Sequence, residues 1–198
     1  MRHKITIVAA ALAAGAAAAT MAPAAPRGAD DGIEAVATIQ DLMQNVVDPS
    51  ADSLWAAVSS TVTASGTENR QPKTDDDWKT VRRYAVALAE APNLLLTPGR
   101  RVSQAGGKLE DAQVKGILAP EEIARKIAAD RPAFVQRAQA LRLAAKEALA
   151  AIDARDAARL FEAGGKLDQA CESCHVKYWY PNDTRPPPPA HVNLEPKK

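Results

Sequence analysis

The sequence predicts an all-α protein, built as an antiparallel four-helix bundle. Good helix formers such as Ala, Leu, Glu, Lys and Arg are abundant, while aromatic residues make up only 4% of the 198 residues. Apolar residues recur at steps of three and four in several separate segments, which places them on one face of a helix. No segment alternates apolar and polar residues convincingly, so no strand is predicted. Four main helices joined by short and long connections favour a bundle.

The N-terminus has the three parts of a secretory signal. Residues 1–4 are basic, residues 5–19 are uncharged and rich in Ala, and residues 20–24 are small. We expect residues 1–24 to be removed, with cleavage after Ala24 or Ala22, and the mature protein to reside in the periplasm. The uncharged run is shorter than the roughly 20 residues that a membrane-spanning helix needs. No later run is long enough, so no membrane span is expected after cleavage.

The bundle itself is expected over residues 25–180, beginning with a helix over about residues 32–47. The apolar face of this first helix comprises Val36, Ile39, Met43 and Val46. Asp48-Pro49 should end or kink the helix, because a proline disfavours the α conformation of the residue before it. Asp48 is then expected to cap a further helical segment that runs to about Val62 and is closed by Gly66.

Asp75-Asp76-Asp77 predicts the start of the next helix, since acidic side chains favour the positive end of the helix dipole. Its apolar stripe comprises Trp78, Val81, Ala85 and Leu88. Pro92 is expected to limit it, and residues 97–119 form a long connection punctuated by glycines.

The last third of the chain predicts a short helix over residues 120–129, a long helix after Asp130 and a final helix over residues 157–178. The long helix has a regular apolar stripe of Phe134, Ala138, Leu141, Ala145, Ala148 and Ile152. A tight turn at residues 153–156 separates it from the final helix. The tail, residues 181–198, is rich in proline and is expected to be disordered.

The two cysteines of the chain both lie in Cys171-Glu172-Ser173-Cys174-His175. Cys-x-x-Cys-His is the attachment signature of c-type haem. On a helix, positions i, i+3 and i+4 share a face, so two thioethers can reach the porphyrin edge while the imidazole lies over the iron. We therefore expect one haem, attached covalently through Cys171 and Cys174, with His175 as an iron ligand.

Other chemistries fit these residues less well. A zinc site would need a second pair of ligands, and the chain has no further cysteine. A thiol–disulfide oxidoreductase using Cys171 and Cys174 is the alternative from another class, although such a pair usually follows a strand and precedes a helix. The charge is nearly balanced, at 25 basic against 24 acidic residues, so nucleic acid is not an expected partner.

Residues 161–175, FEAGGKLDQACESCH, resemble the final helix of class II cytochromes c, the cytochrome c′ group. The likeness covers about residues 134–180, and in that family the haem motif lies near the C-terminus of a four-helix bundle. The resemblance implies a haem protein that is not an enzyme and that exchanges electrons with redox partner proteins. Class II bundles often dimerise, so a homodimer is one option for the oligomeric state.

The resemblance also implies that the first helix supplies the residue on the other side of the iron. High-spin members leave that position open and bind NO or CO, whereas low-spin members fill it with a methionine and carry electrons. Met43 is the one methionine that remains after residues 1–24 are removed. It is either the second iron ligand or a core residue, a role that methionine fills well. The favoured function is a one-electron carrier with His/Met ligation, and a five-coordinate NO or CO binder is the alternative.

Overall fold

The computed structural model describes residues 32–182, so the predicted signal segment, most of the predicted tail and His191 lie outside the described residues. Within this range the protein is mainly α-helical, as predicted, with one antiparallel hairpin. The elements in chain order are α1 (Ile39–Leu42), a π-helical turn (Met43–Val47), α2 (Asp48–Ala57), β1 (Ser59–Thr63), β2 (Gly66–Arg70), α3 (Asp75–Leu95), α4 (Pro120–Ala129), α5 (Arg131–Asp153) and α6 (Ala157–Tyr178).

The long helices pack side by side around one core. α5 lies between α3 and α6, and α2 contacts both α3 and α6. The apolar stripes predicted for α3 and α5 are all buried in this core. The described helices contain no segment that is both long and apolar enough to cross a membrane.

The first helix begins later than the sequence pattern predicts. Thr38 caps it: the Thr38 hydroxyl accepts the Asp41 N–H at 3.1 Å, and the Asp41 carboxylate accepts the Thr38 N–H at 2.9 Å. This reciprocal cap satisfies two N–H groups that a helix start leaves unpaired, so it fixes the start at Ile39. The prediction of a start near Gly32 was therefore wrong. Val36, predicted to lie on the buried face, precedes the helix and is 78% exposed.

The predicted break at Asp48-Pro49 is replaced by the π-helical turn. Asp48 keeps right-handed helical angles (φ −60°, ψ −50°), and its N–H bonds to the Met43 carbonyl, five residues back. Proline has no N–H to donate to the carbonyl four residues earlier. The wider turn therefore comes immediately before Pro49, and the helical path continues into α2. Asp48 does not act as a side-chain cap for α2, which was also predicted.

A surface hairpin occupies the segment that was expected to complete the second helix. α2 ends at Ala57, and β1 pairs with β2 through the two-residue turn Ala64-Ser65. The sequence shows no alternation here because every residue of β2 is exposed. Gly66, expected to close a helix, instead begins β2 with φ +132°, a backbone conformation that favours glycine.

α3 starts as predicted, but it extends one turn beyond the expected limit. Its cap is Thr74, whose hydroxyl accepts the Asp77 N–H at 3.1 Å. Pro92 lies inside the helix, which continues to Leu95. Leu95 is buried against the core, and this packing favours the extra turn although Pro92 cannot donate a helical hydrogen bond.

The rest of the chain agrees closely with the predicted elements. Residues 97–119 form a connection without helix or strand, and α4, α5 and α6 have the expected bounds. The connection is tied to the first helix, because the N–H groups of Ile39 and Gln40 bond to the carbonyls of Arg101 and Val102 at 2.8 and 3.0 Å. These bonds satisfy donors in the first turn of α1, which have no partner within the helix.

Thr74→Ala should lower the free energy of unfolding by about 1 kcal/mol, because it removes the side-chain cap of α3. Thr80→Ala is the matched control, since Thr80 is exposed within the same helix. It should leave stability unchanged or raise it slightly, because alanine is the better helix former. Chemical denaturation of both variants measures the difference, and equal stabilities would contradict the role of the cap.

Candidate functional site

A cavity lies where the first helix, α5 and α6 meet. Its volume is about 280 Å³, and it is partly open to solvent. Residues 110–111 of the long connection border it as well. Most of its wall is apolar, including Ile39, Val47, Leu95, Ile123, Ile127, Phe134, Ala138, Leu141 and Ala170.

All four residues singled out in the sequence line this cavity. Cys171, Cys174 and His175 come from the last turns of α6, and Met43 comes from the start of the π-helical turn. Each is half-buried. The fold therefore brings one imidazole, two thiols and one thioether to a common apolar space from opposite ends of the chain.

The direction of the motif follows from the apolar stripe of α6. Asp156 caps this helix by accepting the Arg159 N–H at 2.9 Å. Leu160 and Leu167 are buried, and Cys171 follows Leu167 by four residues on the same face. The stripe that anchors the helix in the core therefore turns the motif towards the cavity.

The C-terminal end of α6 is tied to the start of α5. Lys177 forms an ion pair with Asp130, which caps α5, at 2.7 Å. The Arg137 side chain donates from Nε to the carbonyl of Ser173, inside the motif, at 3.0 Å. The bond from Lys177 is the main cause that lowers the pKa of Asp130. These contacts hold the motif at a defined position along α5.

His175 packs beside two aromatic rings that follow it in the sequence. Its ring centre lies 6.3 Å from that of Trp179 and 6.1 Å from that of Tyr180. Trp179 Nε1 donates to the Asp111 carboxylate at 3.3 Å, and the Tyr180 hydroxyl donates to Glu172 at 2.6 Å. These bonds fix the orientation of both rings.

Sequence reasoning did not single out Tyr180, Asp111 or Glu172. The aromatic residues directly after the motif are a signal that could have indicated Tyr180. Asp111 lies in the long connection, where no periodicity indicates the direction of a side chain. Tyr178, which lines the same cavity, packs edge-on against Phe134 of α5, with ring centres 5.5 Å apart.

Burial keeps both cysteines protonated. Desolvation raises the pKa of Cys171 to about 12 and that of Cys174 to about 11. The Asp48 carboxylate adds to the shift at Cys171, whereas Arg137 opposes it at Cys174. The motif also lies at the C-terminal, negative end of α6, which disfavours a thiolate. Thiol–disulfide exchange proceeds through the thiolate, so this site is poorly suited to that chemistry.

Burial also keeps the imidazole neutral. Desolvation lowers the pKa of His175, while Asp48, Glu172 and Asp111 partly oppose the shift. The Asp48 side chain also lines the cavity, where partial desolvation raises its pKa and His175 opposes the rise. A neutral imidazole has a lone pair free to bind a metal, so His175 has the protonation state that ligation requires.

No family model matches this chain, and neither a curated protein nor a solved structure matches it. Over residues 32–182, no group of three or more His, Cys, Asp and Glu side chains is arranged to hold a metal ion.

The lowered pKa of His175 predicts a pH dependence of stability. The unfolded chain binds a proton at an ordinary histidine pKa of about 6.5, and the folded chain binds it only at lower pH. Full stability is therefore present above about pH 6.5 and is lost as the pH falls from there through the folded pKa. Denaturation measured between pH 7.5 and pH 5 should show this slope.

His175→Gln should reduce the slope, because glutamine does not titrate. An identical slope in wild-type protein and His175→Gln would assign the pH dependence to other groups.

Proposed function

We propose that this chain is a monohaem c-type cytochrome that carries single electrons in the periplasm between redox partner proteins. In this proposal, Cys171 and Cys174 attach the haem and His175 and Met43 ligate its iron. The observation that carries the proposal is that the three side chains of the Cys-x-x-Cys-His motif and Met43, from a distant part of the chain, line the same apolar cavity.

The donor set and the apolar lining of the cavity both fit a haem. Two thiols at helical spacing can form thioethers, and an imidazole with a methionine sulfur is a known pair of axial ligands. The cavity volume of about 280 Å³ lies near the lower end of the roughly 300–1,000 Å³ that is usual for cofactor and ligand sites, and the cavity is partly open to solvent. In this proposal α2, α3, α5 and α6 form a four-helix bundle around the haem.

The haem would supply the one-electron redox chemistry, and the protein would supply attachment, orientation and exclusion of water. Cys171 and Cys174 retain the cofactor through covalent bonds. Neutral His175 binds without first losing a proton, and its position is fixed by the ties between α6 and α5. Met43 brings a thioether, which carries no charge into an apolar space. The cavity residues would bind and orient a cofactor, so we propose an electron carrier and not an enzyme.

The alternative haem function differs only in the role of Met43. If Met43 merely packs among its apolar neighbours Ile39 and Val47, the iron is five-coordinate and open to NO or CO. Thiol–disulfide exchange is the less favoured alternative, because the raised pKa of each cysteine leaves little thiolate at neutral pH.

Covalent attachment is tested on protein exported by a host that makes c-type cytochromes. Acid–acetone extraction should leave the haem on the polypeptide, and the mass should exceed that of the processed chain by one haem. Cys174→Ser should lower the yield of haem-loaded protein, because one thioether is lost. Complete extraction of the colour from the wild-type protein would contradict the proposal.

Ligation by Met43 is tested with two equivalent truncations in the cavity wall. Met43→Ala should convert a low-spin haem to a high-spin one, open the iron to CO and lower the reduction potential, because the soft thioether favours ferrous iron. Ile39→Ala, which also truncates a cavity-lining residue, should leave the spin state unchanged. Absorption spectra and potentiometry measure both.

A wild-type protein that is already high-spin at neutral pH would show that Met43 only packs. The function would then be binding of NO or CO.

A further inference from the structure

A direct contact joins α2 and α6 at a distance from the cavity. Trp55 Nε1 donates a hydrogen bond to the backbone carbonyl oxygen of Gly164 at 3.0 Å. Gly164 is buried, and Trp55 is half-buried. The indole ring therefore lies against the backbone of α6.

Glycine at position 164 leaves room for this contact. A Cβ atom there would lie 3.1 Å from Cδ1 of Trp55, tighter than most Cβ contacts in proteins, and 3.4 Å from Nε1. A Cβ atom on the neighbouring Gly165 would meet no atom of the described residues within 4 Å. A glycine in a helix interior costs about 1 kcal/mol relative to alanine, so the close approach explains Gly164 but not Gly165.

The distance from the Trp55–Gly164 contact to the proposed iron ligand is about the same along both helices. Met43 precedes Trp55 by 12 residues, of which the π-helical turn takes up one, so the separation is about 17 Å of helix at 1.5 Å per residue. Gly164 precedes His175 by 11 residues, or about 17 Å. Met43 and His175 line the same cavity, and Trp55 contacts Gly164, so the two helices meet at corresponding points at both ends of this interval.

We infer that Trp55 and Gly164 form a positioning contact that sets the separation of α2 and α6, and hence the reach of Met43 towards an iron held by His175. The inference rests on the proposed function. Metal–ligand bonds tolerate deviations of only about 0.2 Å. A side chain at position 164 must displace the indole ring by a few tenths of an ångström, which is comparable with that tolerance.

The test compares two neighbouring glycines in the haem-loaded protein. Gly164→Ala and Gly164→Val should lower the low-spin fraction of ferric haem progressively, increase the rate of CO binding and lower the reduction potential. Gly165→Ala and Gly165→Val carry the same changes in helix propensity without the contact, and they should leave all three measurements at the wild-type values. Thermal melting is recorded for each variant, because a purely structural role would change stability without changing the spin state.

A second substitution tests the steric cause. Trp55→Leu removes the ring that a larger residue at position 164 would meet, so Gly164→Val combined with Trp55→Leu should regain low-spin haem relative to Gly164→Val alone. Failure to regain it would assign the effect to α6 itself and overturn the positioning contact. If Gly164→Val yields no folded protein, the low-spin fractions of Gly164→Ala and Gly165→Ala are compared instead. Equal fractions would overturn the positioning contact.

The outcomes separate this inference from the proposed function. A wild-type protein without covalent haem, or with a spectrum that Met43→Ala does not change, would defeat the proposed function. A spectrum that responds to Met43→Ala but stays the same in the position 164 variants, or responds equally at positions 164 and 165, would overturn the inference alone.

Discussion

The packing of α6 between α5 and α2 determines where each of the candidate functional side chains lies. Half of its buried residues are small, namely Ala163, Gly164 and Ala170, and it meets an alanine-rich face of α5. Small residues let two helix backbones approach closely, but each buries little apolar area and so contributes little free energy. Specific contacts near its end and middle, such as Lys177 with Asp130 and Trp55 with Gly164, add to the packing of Leu160 and Leu167 in fixing the position of α6.

Burial at the cavity favours the neutral form of Cys171, Cys174 and His175. The cysteines stay as thiols and His175 stays as imidazole. The Asp48, Glu172 and Asp111 carboxylates oppose the lowering of the His175 pKa, since they favour a positive charge nearby. In the proposed cytochrome, these carboxylates would favour ferric over ferrous iron, and the Met43 thioether would favour ferrous iron. The reduction potential would therefore reflect a balance between the carboxylates and the sulfur ligand.

The sequence predicts the C-terminal half of the fold well because its helices have strong caps and regular apolar stripes. Asp130 and Asp156 both cap helices where the pattern begins. The N-terminal half is predicted less well, because local chemistry there overrides periodicity: Thr38 fixes a late helix start, and an exposed hairpin needs no alternation. For the site, spacing predicts that Cys171, Cys174 and His175 share a face. The contact of Trp179 with Asp111 depends on the path of the connection over residues 97–119. Apolar residues show no periodicity there, so the sequence alone does not indicate the contact.

The π-helical turn links the predicted ligand to the positioning contact. In a regular α-helix each residue advances by about 100°, so Trp55, 12 residues after Met43, would point about 120° away from it. A π turn bonds residue i to residue i+5 and so accommodates one extra residue within a turn. The effective separation becomes 11 residues, and the angle between Met43 and Trp55 falls to about 20°. Both side chains then face α6, which agrees with Met43 lining the cavity beside His175 and Trp55 bonding to Gly164. The sequence pattern predicts a break at Pro49. In the structure Pro49 comes just after the turn that aligns these two residues.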